Sequence, residues 1–302
     1  MDEIFRYEMA VQTLPRELRA AAMHLSDHEK ARVEEFRLRA GHCPSVLLEE
    51  GEKCFSDSLV TTQQLEQMLG EATEYSRYAS IETLRRGFLS VRGGFRLGVC
   101  GTGVEFEGKN HDIKDVSSLC LRILREKRGV AEAIAPRLFA DGRFQSTLIL
   151  SPPGGGKTTL LRDLVRTLSD GTAERSALRI ALVDERSEVA CCYRGEAQMD
   201  LGAHTDVLDG CTKAIGIPMV LRAMNPQVIA LDEITLSKDV ETMAQAANCG
   251  VALLATMHAK NKEELRRKPL YPLLRDANVF QKIVTVCICG GQRKYEVETF
   301  DC

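Results

Sequence analysis

The chain has 302 residues, a length that favours about two domains. With 44% hydrophobic and 27% charged residues it has an ordinary globular composition, which excludes a wholly disordered chain, a collagen-like chain and a coiled-coil rod. Its 40 basic and 43 acidic residues give a net charge of −3, and neither half of the chain is basic. The charge therefore argues against a dedicated nucleic-acid or membrane-surface domain.

No part of the sequence has the pattern of a membrane-spanning helix or of a signal peptide. Its apolar runs, such as 251–257, are much shorter than the roughly 20 residues of a membrane helix. The first ten residues lack the basic-then-apolar order of a signal peptide. We therefore expect a cytoplasmic protein, and we expect its 11 cysteines to be reduced thiols, since none forms the C-x-x-C pair of a zinc site.

The first 140 residues combine helical and strand-like patterns. The predicted elements are helices over 13–24, 62–75 and 130–139, strands over 33–39, 46–48 and 117–124, and glycine-rich antiparallel strands over 85–104. The signal T-x-x-Q marks the start of the second helix. Residues 1–140 are therefore expected to form a smaller α+β domain.

Residues 141–302 alternate continuous apolar runs with helical stretches. The runs predict strands over 148–150, 179–183, 227–232 and 251–256, with helices over 157–169, 213–224 and 238–248. Such strands suit a mainly parallel sheet covered on both faces, so we expect a doubly wound α/β domain. The final run, IVTVCICGGQRKYEVETF, predicts a hairpin around Gly290 and Gly291.

Residues 151–158, SPPGGGKT, match the phosphate-loop pattern G-x-x-x-x-G-K-[ST] except for the serine at the first position. The glycines let backbone N–H groups converge on phosphate, and the helix that follows adds the positive end of its dipole. Lys157 is expected to reach the β- and γ-phosphates, and the Thr158 hydroxyl to ligate Mg²⁺. The predicted nucleotide contacts are Ser151, Pro152, Pro153, Gly154, Gly155, Gly156, Lys157, Thr158 and Thr159.

A second apolar strand ends in Asp232 and Glu233, the carboxylates that a phosphate-loop site needs. Asp232 is expected to hold Mg²⁺, directly or through water. Glu233 is expected to orient or deprotonate the attacking water, which favours hydrolysis of a nucleoside triphosphate.

Two other predicted strands also end in polar residues. Asp184, Glu185 and Glu188 follow one, and Thr256 and His258 end the other. Ligands of such sheets collect at the carboxyl ends of the strands. Glu185 is therefore a candidate catalytic carboxylate and His258 a candidate sensor of the γ-phosphate. The alternatives are a solvated acidic loop and a packed or surface histidine.

The chain resembles the secretion ATPase superfamily in the order of four motifs. These are the phosphate loop (151–158), the acidic box (183–188), the strand 228–233 and the histidine box (256–258). That superfamily drives type II and type IV secretion and type IV pilus assembly. The stretch LRAMNPQVIALDEI is similar to the family's lead into this strand, although the family usually has Gly-Glu where this chain has Asp-Glu. The resemblance implies a RecA-like P-loop domain, ATP hydrolysis with Mg²⁺ and a homo-oligomer, a hexameric ring.

The chain also resembles a narrower family, stage III sporulation protein AA. The matching segments are GGFRLGVCGTGV (93–104), SPPGGGKTTLLRDLVRTLSDG (151–171), VDERSEVA (183–190) and a D-x-x-x-x-T-D-V-L-D run ending at Asp209. This resemblance implies a cytoplasmic ATPase of the mother cell that powers a channel complex to the forespore. It would lie at the membrane through a membrane-protein partner of that complex, and nucleic acid is not an expected partner.

Phosphoryl transfer commonly needs one more positive charge than a lysine and Mg²⁺ supply. Arg222 in the P-loop domain and Arg96 and Arg122 in strands of the N-terminal domain are the candidates. In the secretion ATPases that the chain resembles, arginines of the N-terminal domain reach the nucleotide. The alternative for Arg96 and Arg122 is the solvent face of an antiparallel sheet.

Two other functions stay open at this point. One is a RecA-like nucleic-acid motor, which the acidic balance, 5% aromatic content and absence of tryptophan disfavour. The other is a nucleotide-gated assembly scaffold with little turnover, which Glu233 disfavours.

Overall fold

The computed structural model describes residues 3–73, 88–106, 109–289 and 292–300 and divides the chain into two compact units, Met1–Glu126 and Lys127–Cys302. The sequence placed the boundary at residues 140 and 141 instead. The difference lies in the segment 127–140, whose Ala131 and Leu138 join the same apolar cluster as the helix after the phosphate loop. The Ala131 N–H also donates to Asp163 Oδ2 on that helix at 2.8 Å.

The first unit is an antiparallel sheet with short helices. Its helices are α1 (Glu3–Val11), α2 (Arg16–Met23), α3 (Asp27–Lys30) and α4 (Thr62–Ala72). Its strands are β1 (Glu35–Arg39), β2 (Ser45–Leu48), β3 (Gly51–Cys54), β4 (Phe88–Val91), β5 (Phe95–Phe106) and β6 (Lys109–Arg122). They pair in the order β3-β2-β1-β6-β5-β4, with every neighbour antiparallel.

Alternation along the strands explains this unit. Phe36 and Leu38 on β1 are buried in a core with Tyr7 of α1, whereas Glu35 and Arg37 point to the other face of the sheet. The predicted start of α4 is confirmed, since Thr61 and Gln64 form a reciprocal capping box. The sequence pattern missed α1, α3 and β3.

The second unit is built on a seven-stranded sheet. The strands of this unit are β7 (Phe139–Ala140), β8 (Arg143–Phe144), β9 (Thr147–Ser151), β10 (Ile180–Asp184), β11 (Thr205–Asp209), β12 (Val228–Glu233), β13 (Ala252–His258), β14 (Lys282–Cys289) and β15 (Gln292–Thr299). The sheet order is β11-β10-β12-β13-β9-β14-β15, and β7 pairs with β8 apart from it. All neighbours in the large sheet are parallel except β14 and β15.

The helices of this unit are α5 (Lys157–Asp170), α6 (Lys213–Ala223), α7 (Ser237–Asn248), α8 (Lys262–Arg266) and α9 (Tyr271–Ala277). The central strands β9 and β10 are buried at every position because apolar clusters cover both faces of the sheet. The predicted α/β fold and its strand-helix order are therefore confirmed. The closing hairpin is also confirmed, although its two glycines lie outside the described residues.

Two local predictions are wrong. Residues 130–139 form turns and a short 3₁₀ segment, Ala135–Leu138, rather than an α-helix, because Pro136 has no N–H to continue the helical ladder. Cys43 and Cys54 form a disulfide, since the turns around β2 and β3 bring their Cα atoms to 6.0 Å. The free thiols among the described side chains are Cys100, Cys120, Cys191, Cys192, Cys211, Cys249 and Cys287. None of the helices within the described ranges is long and apolar enough to cross a membrane.

Candidate nucleotide-binding site

The phosphate loop connects the buried strand β9 to the first turn of α5. Gly154 and Gly156 have φ of 72° and 102°, backbone conformations that side chains with a Cβ rarely adopt. Gly156 is the N-cap of α5, so the positive end of the helix dipole opens on the loop. Thr158 and Thr159 lie half-buried in that first turn.

Ser151, at the motif's first position, fits the loop because of Gly155. The Ser151 side chain is buried and its hydroxyl donates to the Pro152 carbonyl at 2.9 Å. A Cβ on Gly155 would lie only 2.0 Å from the Ser151 Oγ. The Ser151 side chain therefore occupies the space that a side chain at position 155 would need. Serine at position 151, where the motif has glycine, is compatible with this loop conformation.

A cluster of charged side chains lies beside the loop, at the carboxyl ends of β12 and β13. Glu233 Oε2 lies 3.7 Å from Lys157 Nζ and 3.2 Å from His258 Nε2. Lys157 Nζ and His258 Nε2 are themselves 3.2 Å apart. The structure thus brings together three of the predicted catalytic side chains, as the parallel sheet requires of neighbouring strand ends.

Asp232 is the residue in this region that best fits a metal ligand. It is only 2% exposed, and within the part of the chain that the structure describes its Oδ1 has no hydrogen-bond partner. Burial, with smaller contributions from Asp184 and Glu188, raises the pKa of Asp232 from 3.8 to about 6. A carboxylate that is desolvated without a partner gains from a cation, so Asp232 fits the Mg²⁺ ligand that the sequence predicts together with Thr158.

A second buried polar atom occurs on the adjacent strand. Thr256, which pairs with Glu233 across β12 and β13, has a fully buried Oγ1 without a hydrogen-bond partner among the described residues. An unsatisfied hydroxyl and an unsatisfied carboxylate at the carboxyl ends of neighbouring strands are typical of a site that binds a polar ligand or ordered water.

The acidic box after β10 is organised by Asp184. Its carboxylate accepts the backbone N–H groups of Glu188, Val189 and Ala190 at 2.8–2.9 Å, and burial raises its pKa. Arg162 of α5 also donates to the carbonyls of Glu188 and Val189. Asp184 is therefore a positioning residue that holds the box beside the phosphate loop.

Glu185, the predicted secondary catalytic carboxylate, binds the buried Lys213 Nζ at 2.7 Å. Lys213 is the first residue of α6 and its side chain is 4% exposed. Glu185 therefore forms an ion pair with this lysine of α6.

Of the three predicted arginines, only Arg222 belongs to the unit that carries the phosphate loop. Arg222 lies exposed in the last turn of α6, which returns the chain to the opposite edge of the sheet. Arg96 and Arg122 are cross-strand neighbours in the first unit. Arg96 lies over the Phe88 ring and Arg122 binds Glu35 at 3.0 Å, so their predicted role toward a nucleotide stays a prediction.

Sequence reasoning missed three basic residues. Arg186, inside the acidic box, places Nη1 3.8 Å from Glu233 Oε2, and its position after a strand could have suggested it. Lys213 follows Thr212, which occupies the N-cap position of α6. Arg293, on β15, donates from Nε to the Gly155 carbonyl at 3.0 Å, and no local pattern marks it.

Comparisons with known proteins agree with this picture. The family model of sporulation stage III, protein AA, matches residues 6–294. Stage III sporulation protein AA of Bacillus subtilis (strain 168) is 33% identical over 280 residues, which cover 93% of this chain and 91% of that protein.

Among solved structures, the Legionella pneumophila ATPase DotB matches with a TM-score of 0.60 at 14% identity, over 95% of this chain and 82% of DotB. The pilus retraction motor PilT, solved with bound ADP, matches with a TM-score of 0.59 at 19% identity, over 89% of this chain and 79% of PilT. At such identities the likeness shows the fold. The mainly parallel α/β sheet preceded by a smaller antiparallel domain is the fold of secretion ATPases.

Proposed function

Because the chain belongs to the sporulation stage III protein AA family, we propose that it is an ATP-binding and ATP-hydrolysing motor of sporulation. The observation that carries the proposal is the Lys157, Glu233 and His258 cluster next to the phosphate loop. Lys157 Nζ lies 3.7 Å from Glu233 Oε2, which places a phosphate-binding cation and a candidate general base on the same side of the loop. Phosphoryl transfer to water needs these two groups together.

Each residue has a task that follows from its place. The backbone N–H groups of the loop hold the phosphates, and Lys157 neutralises the charge on the β- and γ-oxygens. Glu233 accepts a proton from the attacking water, while His258, 3.2 Å from Glu233 Oε2, orients that carboxylate and contacts the γ-phosphate. A magnesium ion held by Thr158 and Asp232 would supply additional positive charge at the same phosphates.

The wider role is proposed from likeness. The pilus retraction motor PilT, which shares the fold, supports mechanical work as the output of hydrolysis. The family match supports a role in sporulation. A role at a channel complex between mother cell and forespore is proposed from the resemblance of the sequence alone. We propose a homo-oligomeric ring, a hexamer, that lies in the cytoplasm and acts through a membrane-protein partner.

The test is steady-state hydrolysis of ATP by the full chain with Mg²⁺. Lys157→Ala removes the phosphate-binding ammonium without altering the glycines, so binding or turnover should fall by at least about 100-fold. Lys238→Ala, at an exposed position on α7, is the matched control and should behave as wild type.

Three outcomes contradict the proposal in different ways. Turnover that survives Lys157→Ala would refute the phosphate-loop site. ATP binding without turnover, in the assembled protein, would support the nucleotide-gated scaffold instead. Hydrolysis that requires single-stranded DNA would support the nucleic-acid motor.

A further inference from the structure

The closing hairpin β14–β15 lies on the side of the phosphate loop that faces away from the charged cluster. In the sheet order, β9 has β13 and β12 on one side and β14 and β15 on the other. Glu233 and His258 end β12 and β13, so the γ-phosphate belongs on that first side. The hairpin therefore approaches the phosphate loop from the side opposite Glu233 and His258.

Arg293 reaches the loop from this second side. Its Nε donates to the Gly155 carbonyl at 3.0 Å. A Cβ on Gly156 would lie 2.8 Å from Nε and 3.6 Å from Cζ of the same guanidinium. The guanidinium thus packs directly on the glycine that begins α5, the residue at which the helix dipole and the phosphate-binding N–H groups converge.

The hairpin orients this side chain by strand alternation. Arg293, Tyr295 and Val297 share one face of β15, and the last two pack on the apolar cluster that contains α5. Lys294 points to the opposite face. The position of Arg293 over the loop is therefore fixed by the buried part of its own strand.

The charge of Arg293 has no counter-ion in the structure as described. Among the described residues, no carboxylate lies within ion-pair distance of its guanidinium, and only Nε is engaged, by the carbonyl of Gly155. A guanidinium has five N–H donors in a fork that suits phosphate oxygens. An arginine held against an anion-binding loop with donors to spare is suited to complete the binding of the anion.

We propose that Arg293 is a nucleotide-binding residue that holds the phosphates common to ATP and ADP from the hairpin side of the loop. This proposal rests on the proposed function. Arg293 belongs to the unit that carries the phosphate loop and is distinct from Arg96, Arg122 and Arg222, the arginines predicted to stabilise the transition state. Because Arg293 lies away from Glu233 and His258, it contributes to affinity for both nucleotides and not to the distinction between them.

The experiment measures dissociation constants of ATP and ADP, each with Mg²⁺, by calorimetry on the full chain. Arg293→Gln keeps a hydrogen-bond donor for the Gly155 carbonyl but lacks the charge, and it should weaken both nucleotides on the order of 10- to 100-fold, by the same factor. Arg293→Lys should retain most of the affinity. Lys294→Ala, on the opposite face of the strand, is the control and should bind as wild type.

The outcomes separate the possible roles. Wild-type affinity in Arg293→Gln would mean that the side chain only holds the loop, and would overturn the proposal. A loss for ATP much larger than for ADP would place the arginine at the γ-phosphate and overturn it too. The melting temperature without nucleotide reports on folding. If Arg293→Gln and Arg293→Lys melt at the same temperature but only Arg293→Gln binds nucleotide more weakly, the charge of Arg293 contributes to nucleotide affinity. If wild type and Lys157→Ala both fail to bind ATP, the proposed function itself fails.

Discussion

Replacing Asp232 by asparagine should change how the stability of the protein depends on pH. Asp232 is 2% exposed, and the pKa of its carboxyl rises from 3.8 to about 6. The folded protein therefore keeps this proton where the unfolded chain has lost it. The stabilisation that the bound proton provides is complete below about pH 4 and is lost as the pH rises through about 6.

The magnitude follows from the two pKa values of Asp232. A pKa difference of about two between the folded and unfolded states corresponds to about 3 kcal/mol of unfolding free energy, at about 1.4 kcal/mol for each pH unit. Asparagine has nearly the same shape as aspartate and does not ionise. Any pH-independent effect of the amide on stability therefore cancels when the stability difference between wild type and variant is compared at two pH values. The advantage of wild type over Asp232→Asn should fall by most of this amount, about 2.5 kcal/mol, between pH 4 and pH 7.5.

The assay is urea unfolding of wild type and Asp232→Asn at several pH values from 4 to 7.5, without nucleotide. The transition that MgADP shifts belongs to the unit that carries the site. Mg²⁺ favours the ionised carboxylate, so MgADP should stabilise wild type more than the variant, and more at pH 7.5 than at pH 5. A stability difference that stays constant over this range would refute a desolvated, metal-ready Asp232.

Two other substitutions test the geometry of the site. Glu233→Gln removes the general base and a negative charge 3.7 Å from Lys157, so single-turnover hydrolysis should slow by about 100-fold or more while ATP binds at least as tightly; unchanged hydrolysis would move the base elsewhere. Gly155→Ala should abolish ATP binding, because its Cβ would lie 2.0 Å from Ser151 Oγ, and adding Ser151→Gly should restore part of that binding in calorimetry. A Gly155→Ala protein that binds normally would show that the two positions do not share this space.

Several parts of the protein could be predicted from short stretches of sequence because neighbouring residues decide them. The loop 151–158 follows from glycines, a lysine and a threonine within eight positions, between an apolar strand and a helix. The capping box at Thr61 is equally local. The pair Asp232 and Glu233 was identifiable because it ends a fully apolar strand, and the sheet places such ends at the ligand edge.

Other parts were decided by contacts between residues far apart in the chain. The segment 130–139 has the composition of a helix, but it forms turns and a 3₁₀ segment at Pro136 and packs with α5. The disulfide of Cys43 and Cys54 depends on how β2 and β3 turn. Pro136 was a local signal against a continuous helix, whereas the packing of this segment on α5 and the pairing of the two cysteines depend on which surfaces meet.

Contacts between distant residues also explain why the cluster of Lys157, Glu233 and His258 could be predicted from the sequence and Arg293 could not. Glu233 and His258 end strands that could be recognised in the sequence, so only their side-by-side order was needed to bring them to Lys157. Arg293 is 138 positions from Gly155 and lies in an exposed strand without a motif. Only the pairing of β14 with β9 and of β15 with β14 carries it to the loop, and strand order in a sheet is set by burial of the whole surface rather than by residues adjacent in sequence.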